Sequence, residues 1–210
     1  MTVVAQTLDV DGSLWDAWTP REVAEVLDGV EAPWCVAAGW AIDLFLGEQR
    51  REHDDLEIVV PNDRFAEVAE ALSAFEIFVI TGPGVGMRLE GAQNRLDDTH
   101  QTWVRVPETG RWLLDVMREP SDGETWVYRR DPRVRMPYDQ VIERTPDGIP
   151  YCRPEVVVLF KAKEARPKDQ GDLEAVLPSL GSAGRRWLVE ALEIAHPGHP
   201  WIARVAGTGA

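Results

Sequence analysis

The segment at residues 39–60, GWAIDLFLGEQRREHDDLEIVV, restricts the possible folds of this chain more than any other part of the sequence. Its end alternates as a strand does, with Leu56 and Ile58 on one face. Asp55 and Glu57 then share the opposite face, where two neighbouring carboxylates repel each other and lose hydration. A strand of this kind needs positive charge beside its acidic face, and the source of that charge bears directly on function.

The composition is that of an ordinary globular protein, with 44% hydrophobic and 28% charged residues. A chain of 210 residues can bury a substantial core. The 36 acidic residues outnumber the 22 basic ones, which gives a formal net charge of −14. Such a surface repels phosphate backbones, so nucleic acid is a disfavoured partner, although a local basic site for one anionic ligand stays open.

No feature of the sequence indicates a membrane or an oxidising compartment. No apolar run approaches the ~20 residues of a membrane span, and the N-terminal sequence lacks the basic and apolar regions of a signal peptide. The two cysteines, Cys35 and Cys152, lie in apolar segments, which is typical of buried free thiols. We therefore expect a cytoplasmic protein with no membrane partner.

Hydrophobic periodicity predicts an α+β part over residues 1–150 and a helical part over residues 151–210 that packs on it, as one domain or as two. Thr19 and Glu22 form a capping box around a helix start, and Gly47 is placed to end a short buried helix. Strands are predicted at 34–38, 55–60, 76–80, 86–91, 102–107, 111–117 and 125–130. Helices are predicted within 154–166, 168–180 and 183–195.

Three carboxylates are candidate metal ligands and catalytic residues. Asp55 and Glu57 have the spacing at which two strand residues can share a divalent cation, and hard oxygen ligands select Mg²⁺ or Mn²⁺. Asp115 interrupts the apolar series of RWLLDVM and is predicted on a second strand, as a two-metal phosphoryl-transfer site requires. The competing interpretation is that the first two acids face solvent and that Asp115 pairs with a basic side chain.

Groups that suit phosphate surround the first two acids in the sequence. Gly39 begins the predicted helix, and a glycine there lets a phosphate approach free backbone N–H groups. Arg50, Arg51 and His53 form the densest basic cluster in the first half of the chain. Together with a cation, these groups describe a site for a nucleoside triphosphate, although the arginines could also be ordinary surface charges.

The segment AGWAIDLFLGEQRREHDDLEIVV closely resembles the nucleotidyltransferase motif of the aminoglycoside and lincosamide nucleotidyltransferases, small members of the polymerase-β-like superfamily. The resemblance implies an α+β fold with a mixed sheet and flanking helices, followed by a helical C-terminal part. LLDVM looks like the strand that carries the third acid of that family. The matching positions are Gly39, Trp40, Asp43, Gly47, Arg51, His53, Asp55 and Glu57.

The C-terminal segment RPEVVVLFKAKEARPKDQGDLEAVLP also resembles this family, in which a lysine and a nearby aspartate help to hold the triphosphate. This implies nucleotide-binding roles for Lys161 and Asp172, in addition to Gly39, Trp40, Arg51 and His53. Two positions depart from the family pattern: Ala38 replaces the first glycine of a pair, and Glu57 replaces an aspartate.

The resemblance implies a metal-dependent enzyme that transfers a nucleoside monophosphate, with ATP as the expected donor, to a hydroxyl of a small cationic molecule of the antibiotic type. Glu90, Asp97 and Asp98 are candidates to bind the amines of that acceptor, although RLDDTH could instead be a solvated turn before the strand at 102–107. Alternatives are a nucleotidyltransferase toxin that modifies transfer RNA or protein, and a catalytically weakened nucleotide-binding regulator. The acidity of the chain favours the small cationic acceptor over RNA.

Overall fold

The structure is a computed structural model that describes residues 7–207. Its strands are β1 (Thr7–Asp9), β2 (Cys35–Val36), β3 (Glu57–Pro61), β4 (Glu76–Gly82), β5 (Val85–Arg88), β6 (Gln101–Arg105), β7 (Trp112–Glu119), β8 (Ser121–Asp122), β9 (Thr125–Val127), β10 (Arg135–Pro137), β11 (Ile142–Arg144) and β12 (Pro150–Cys152). Its helices are α1 (Pro20–Val26), α2 (Ala38–Leu46), α3 (Phe65–Ala71), α4 (Leu89–Ala92), α5 (Tyr138–Val141), α6 (Pro154–Lys161), α7 (Pro167–Val176), α8 (Ser182–Ala195) and α9 (Pro200–Gly207).

The chain forms two compact units, each built from two stretches of sequence. The first unit is Met1–Val36 with Glu52–Ser121, and the second is Ala37–Arg51 with Asp122–Ala210. The predicted boundary near residue 150, where the α+β part gives way to the helical part, falls inside the second unit. A division into separate domains at that point stays a prediction.

The first unit contains a mixed sheet, as predicted, with the strand order β1-β5-β4-β6-β7-β3-β2. β3 and β7 are parallel, and the other neighbours in this series are antiparallel. The parallel pair requires a long crossover, which the chain makes through α3, β4, β5, α4 and β6. Its register sets Glu57 beside Asp115.

The two faces of this sheet differ in polarity because side chains alternate along each strand. Leu56, Ile58 and Leu114 are fully buried on one face. α3 covers this face, since the ring of Phe65 lies 5.5 Å from the guanidinium of Arg118, which projects from the same side of β7. The carboxylates of Glu57 and Asp115 belong to the opposite face.

The predicted capping box is present at the start of α1. The N–H of Glu22 donates to Oγ1 of Thr19 at 3.3 Å, and the N–H of Thr19 donates to Oε2 of Glu22 at 2.7 Å. The capping box therefore satisfies two backbone donors at this helix end, which favours a helix start at Pro20.

The second unit combines the hairpins β9–β10 and β11–β12 with α2 and the C-terminal helices. α6 is buried around most of its circumference, which explains the unbroken apolar run of its sequence. The three predicted C-terminal helices are confirmed, and α9 is an addition that the sequence did not reveal. His196 ends α8, and Nδ1 of His199 accepts a hydrogen bond from the N–H of Trp201 at 3.1 Å near the start of α9.

Cys35 and Cys152 are buried and form no disulfide, as predicted. Within residues 7–207 no helix combines the length and the apolar character that crossing a bilayer demands. Residues 1–6, on which the expected lack of a signal peptide partly rests, lie outside the described part of the chain.

Arg118 is a buried charge that ties β7 to the segment before β6. Its Nε donates to Thr102 Oγ1 at 2.9 Å, its Nη1 to Asn62 Oδ1 at 3.1 Å, and its Nη2 to Thr99 Oγ1 at 2.7 Å. The backbone carbonyl of Leu96 accepts a further bond from Nη1. Burial lowers the pKa of Arg118 to about 10 against the raising effect of nearby carboxylates, so the group stays charged at neutral pH.

Replacing Arg118 by Met should destabilise the protein strongly. The substitution leaves one buried and three half-buried acceptors without this donor, and we expect the free energy of unfolding to fall by about 2–4 kcal/mol. Urea denaturation followed by circular dichroism measures this change. The matched control is Arg135→Met, which breaks the exposed pair with Asp122 and should cost less than about 0.5 kcal/mol. Equal losses in the two variants would contradict the prediction.

Candidate active site

Asp115 and Glu57 lie side by side on the two parallel strands of the first unit. Neighbouring strands are about 4.8 Å apart, so the two acidic side chains leave the same sheet face from adjacent points. Asp115 is 3% exposed, and Glu57 is half-buried. Like charges in this arrangement are unfavourable in the protein alone, and a bound cation would relieve the repulsion.

Asp55 lies just outside the strand in which it was predicted. β3 begins at Glu57, which is the first residue paired with β7, and its first pair with β2 is Ile58 with Val36. The N–H of Asp115 still donates to the carbonyl of Leu56 at 2.9 Å. Asp55 is therefore half-buried and immediately precedes the paired segment, close in sequence to Glu57 but not held by the ladder.

Gln101 orients the Asp115 carboxylate, and sequence reasoning missed it. Its Nε2 donates to Oδ2 of Asp115 at 2.8 Å from the neighbouring strand β6. Trp103 is the register partner of Asp115 on the same strand, so it belongs to the same face. A neutral amide at the first position of a short strand carries no sequence signal of this role. The amide fixes the carboxylate without neutralising it.

The oxygen donors of the first unit suit a hard divalent cation. Among the residues that the structure describes, no three His, Cys, Asp or Glu side chains are arranged as a complete metal cage. Mg²⁺ is ordinarily held by one or two carboxylates together with water and substrate phosphates, so a complete protein cage is not required. Glu57 and Asp115, with Asp55 close by in sequence, meet that chemical requirement.

In the second unit, the backbone at the start of α2 is left-handed. Ala38 has φ +49°, a conformation that glycine adopts without cost and that alanine adopts only with strain. The family pattern has a glycine at this position, and the structure gives the reason. Ala37 precedes the helix without a side-chain cap. Gly39 is buried, and Trp40 is half-buried.

A chain of alternating charges runs through the second unit. Arg50 donates from Nε to Asp43 Oδ1 at 3.2 Å and from Nη2 to Asp172 Oδ1 at 2.7 Å. Lys161 Nζ lies 2.9 Å from Asp172 Oδ2 and 3.3 Å from Asp169 Oδ1. Two predicted nucleotide-binding residues, Lys161 and Asp172, therefore pair directly with each other. Arg50, which the resemblance left unassigned, connects them to α2.

The last acid of this charge chain, Asp169, is stabilised in its ionised form. Burial alone would raise the pKa of Asp169, but hydrogen bonds from Arg166 and the charge of Lys161 outweigh burial and lower it. Nε of Arg166 lies 2.8 Å from Asp169 Oδ2, and the backbone N–H of Arg166 donates to the same oxygen at 3.0 Å. The Lys161 ammonium thus faces two buried carboxylates, and a phosphate would have to compete with them.

The remaining predicted residues fall in both units. Arg51 ends the first stretch of the second unit, and His53 belongs to the first unit; both are half-buried. The candidate acceptor acids lie in the first unit. Glu90 is 3.6 Å from Arg88, and Asp98 is 3.8 Å from Arg95, and both acids are largely exposed. Asp97 accepts from Asn62 at 3.4 Å.

A protein-family model described as aminoglycoside-2''-adenylyltransferase matches residues 21–131. No curated protein sequence matches the chain.

Among solved structures, the solution structure of the antibiotic-resistance factor ANT(2'')-Ia is similar to this chain. The identity is 17%, the TM-score is 0.52, and the match covers 82% of this chain and 88% of that one. The crystal structure of ANT(2'')-Ia in complex with adenylyl-2''-tobramycin has 17% identity and a TM-score of 0.53, and the match covers 81% of this chain and 93% of that one. The crystal structure of lincomycin-bound LnuA, a lincosamide antibiotic adenylyltransferase, has 18% identity and a TM-score of 0.50, and the match covers 74% of this chain and 92% of that one. At such identities the structural likeness confirms the fold, an α+β fold of the polymerase-β-like nucleotidyltransferase type.

The paired acids predict a metal effect on stability that requires no turnover. In a chelator, Glu57→Gln should match the wild-type melting temperature or exceed it, because it removes a like charge worth up to about 0.5 kcal/mol. Added Mg²⁺ should raise the melting temperature of the wild type by binding the folded state, and should have little effect on the variant. Differential scanning calorimetry tests both points, with Glu25→Gln on the exposed face of α1 as the control. An equal Mg²⁺ effect in all three proteins would remove Glu57 from the site.

The left-handed Ala38 predicts that glycine is the better residue for stability. Ala38→Gly removes a penalty of about 1–2 kcal/mol and loses about 0.4–1 kcal/mol through the more flexible unfolded chain. We expect a net gain of about 0.5–1 kcal/mol in urea denaturation. The control, Ala41→Gly in the same helix, replaces a buried alanine and should destabilise. A loss of stability in Ala38→Gly would contradict the left-handed conformation.

Proposed function

Because the chain belongs to the aminoglycoside-2''-adenylyltransferase family, we propose that it transfers the adenylyl group of ATP to a hydroxyl of an aminoglycoside-like antibiotic. The family makes the chain a nucleotidyltransferase; the donor, the acceptor and the metal requirement are part of the proposal. The observation that carries it is the pairing of Glu57 with Asp115 on the central parallel strands, with Gln101 orienting one oxygen of Asp115.

The acidic residues of the first unit would hold the cation of this reaction. Asp55, Glu57 and Asp115 would bind Mg²⁺ or Mn²⁺, which supplies charge neutralisation at the phosphates when it is bound. The same repulsion that is unfavourable in the protein alone makes this group of acids receptive to a cation.

Asp115 is proposed as the group that accepts the proton of the acceptor hydroxyl. As the acceptor oxygen forms its bond to the α-phosphorus, the bond from that phosphorus to the oxygen bridging to the β-phosphate breaks, and pyrophosphate leaves. The hydroxyl proton passes to a carboxylate oxygen of Asp115. The hydrogen bond from Gln101 holds this carboxylate in one orientation, which preserves the geometry that proton transfer needs.

The nucleotide-binding roles of the remaining residues are proposed from the family pattern. Gly39 would present backbone N–H groups to a phosphate at the start of α2, where Ala37 provides no side-chain cap. Arg51 and His53 would contact the triphosphate with charge-assisted hydrogen bonds, and Trp40 would lie beside the nucleotide. Lys161 and Asp172 would act together, since they form one ion pair.

A cationic acceptor agrees with the charge of the chain. A net charge of −14 attracts polyamines and raises their association rate at low ionic strength. The exposed acids Glu90, Asp97 and Asp98 are proposed to contribute local contacts to ammonium groups. The same charge opposes transfer RNA as the acceptor.

The proposal is tested by incubating the protein with ATP, Mg²⁺ and a panel of acceptors, and by measuring pyrophosphate release. The panel contains tobramycin, further aminoglycosides, lincomycin and neutral sugars. We expect release only with amine-bearing antibiotics, and a mass increase of the acceptor by one adenylyl group. Asp115→Asn should lose at least about 100-fold in rate, while the exposed control Asp122→Asn should keep the wild-type rate. Release that needs no acceptor, or full activity in Asp115→Asn, would overturn the proposed mechanism.

A further inference from the structure

The turn that follows α2, residues 47–51, is held by one buried aspartate. The carbonyl of Asp43 accepts from the N–H of Gly47 at 2.9 Å and from the N–H of Glu48 at 3.2 Å. Its side chain accepts from the backbone N–H of Arg50 at 3.3 Å and from Nε of Arg50 at 3.2 Å. Gly47 makes the sharp reversal possible with φ +76°. The course of this turn is therefore set by contacts that converge on Asp43.

Arg50 connects this turn to the C-terminal helices of the second unit. Its Nη2 donates to Oδ1 of Asp172 in α7 at 2.7 Å, and Asp172 in turn pairs with Lys161 at the end of α6. A guanidinium can do this because its donors form a rigid planar fork, so one side chain can bridge two carboxylates. A lysine at this position would offer a single point charge.

The two carboxylates that Arg50 bridges are the reason why its position is fixed. The side chains of Asp43 and Asp172 are 2% and 3% exposed, whereas that of Arg50 is 24% exposed. A buried carboxylate without a partner is costly, so both acids hold the guanidinium in place. The partly exposed guanidinium is held because its Nε and Nη2 each bind a buried carboxylate.

We propose that Arg50 is a positioning residue for the transfer reaction. By joining Asp43 to Asp172 it fixes the turn 47–51, and through the backbone it sets the orientation of Arg51, the next residue. The inference rests on the proposed function in one respect, the contact of Arg51 with the triphosphate. Lys161 and Asp172 then contribute to nucleotide binding mainly by holding Arg50.

The test compares Arg50→Gln with two other variants. Arg50→Lys keeps the charge but loses the fork, and Arg135→Gln is the matched control, since it breaks the exposed pair with Asp122 at 3.2 Å. Hydrogen–deuterium exchange measures the amides of residues 47–51 without any ligand. Equilibrium dialysis with labelled ATP and Mg²⁺ measures the dissociation constant of the nucleotide.

In Arg50→Gln we expect exchange at residues 47–51 to accelerate about tenfold or more and nucleotide binding to weaken about tenfold. Arg50→Lys should give intermediate changes, and it carries the test alone if Arg50→Gln does not fold. Arg135→Gln should match the wild type in both measurements. The Michaelis constant of the antibiotic acceptor should stay within about twofold in every variant, because a misplaced Arg51 affects the nucleotide.

Two results would overturn the inference. One is unchanged exchange at residues 47–51 in Arg50→Gln, which would mean that the bridge does not hold the turn. The other is faster exchange with wild-type nucleotide affinity, which would mean that the orientation of the turn does not matter for binding. If the wild type itself binds no ATP, the proposed function fails instead, and the exchange data still decide whether Arg50 fixes the turn.

Discussion

The parallel pairing of β3 with β7 is the interaction on which both the core of the first unit and its candidate site depend. One register places Leu56, Ile58, Leu114 and Val116 together on the buried face and sets Glu57 beside Asp115 on the other. A slip of one residue would turn the acids into the core and the apolar side chains out. The large apolar area on one face therefore fixes the position of two carboxylates that would otherwise repel each other.

Much of the candidate site could be predicted from the sequence, because burying a charge on an apolar strand is costly and indicates a function. This argument selected Asp115 and Glu57, which β3 and β7 set side by side, and local signals predicted the caps of α1 and α2. The pairing of the two strands carries no local signal, so their adjacency came only from the family resemblance. The predicted start of β3 was wrong by two residues, because the ladders with β7 and β2 reach no further than Glu57 and Ile58. Strands of two or three residues, such as β11 and β12, are too short to show alternation.

The charge chain of the second unit shows a contact that sequence patterns could not predict. Arg50 and Asp172 are 122 positions apart, and no spacing rule connects them. The family pattern assigns Lys161 and Asp172 to the triphosphate, whereas the structure pairs them with each other and with Arg50. Two explanations reconcile these statements. A phosphate could replace a carboxylate as the partner of the Lys161 ammonium, or Lys161 and Asp172 could act on the nucleotide indirectly by holding Arg50. The burial of Asp169 and Asp172 favours the indirect role, because breaking a buried ion pair leaves an unpaired charge in the interior.

Two strained backbone positions lie next to the helices of this charge chain. Within residues 7–207, the non-glycine residues with a left-handed backbone are Ala38 and Ala165. Ala38 begins α2, and Ala165 joins α6 to α7 between Lys161 and Asp169. Alanine is a tolerable substitute for glycine there because it adds only a Cβ atom, yet each position costs about 1 kcal/mol or more. Such strain persists only where surrounding contacts determine the turn. Around Ala165, Lys161 and Arg166 both bind Asp169, so these ion pairs hold that turn. At Ala38 the N–H of Ala41 donates to the carbonyl of Ala37 at 3.2 Å, so the first turn of α2 closes around the strained residue and keeps the turn of the family without its glycine.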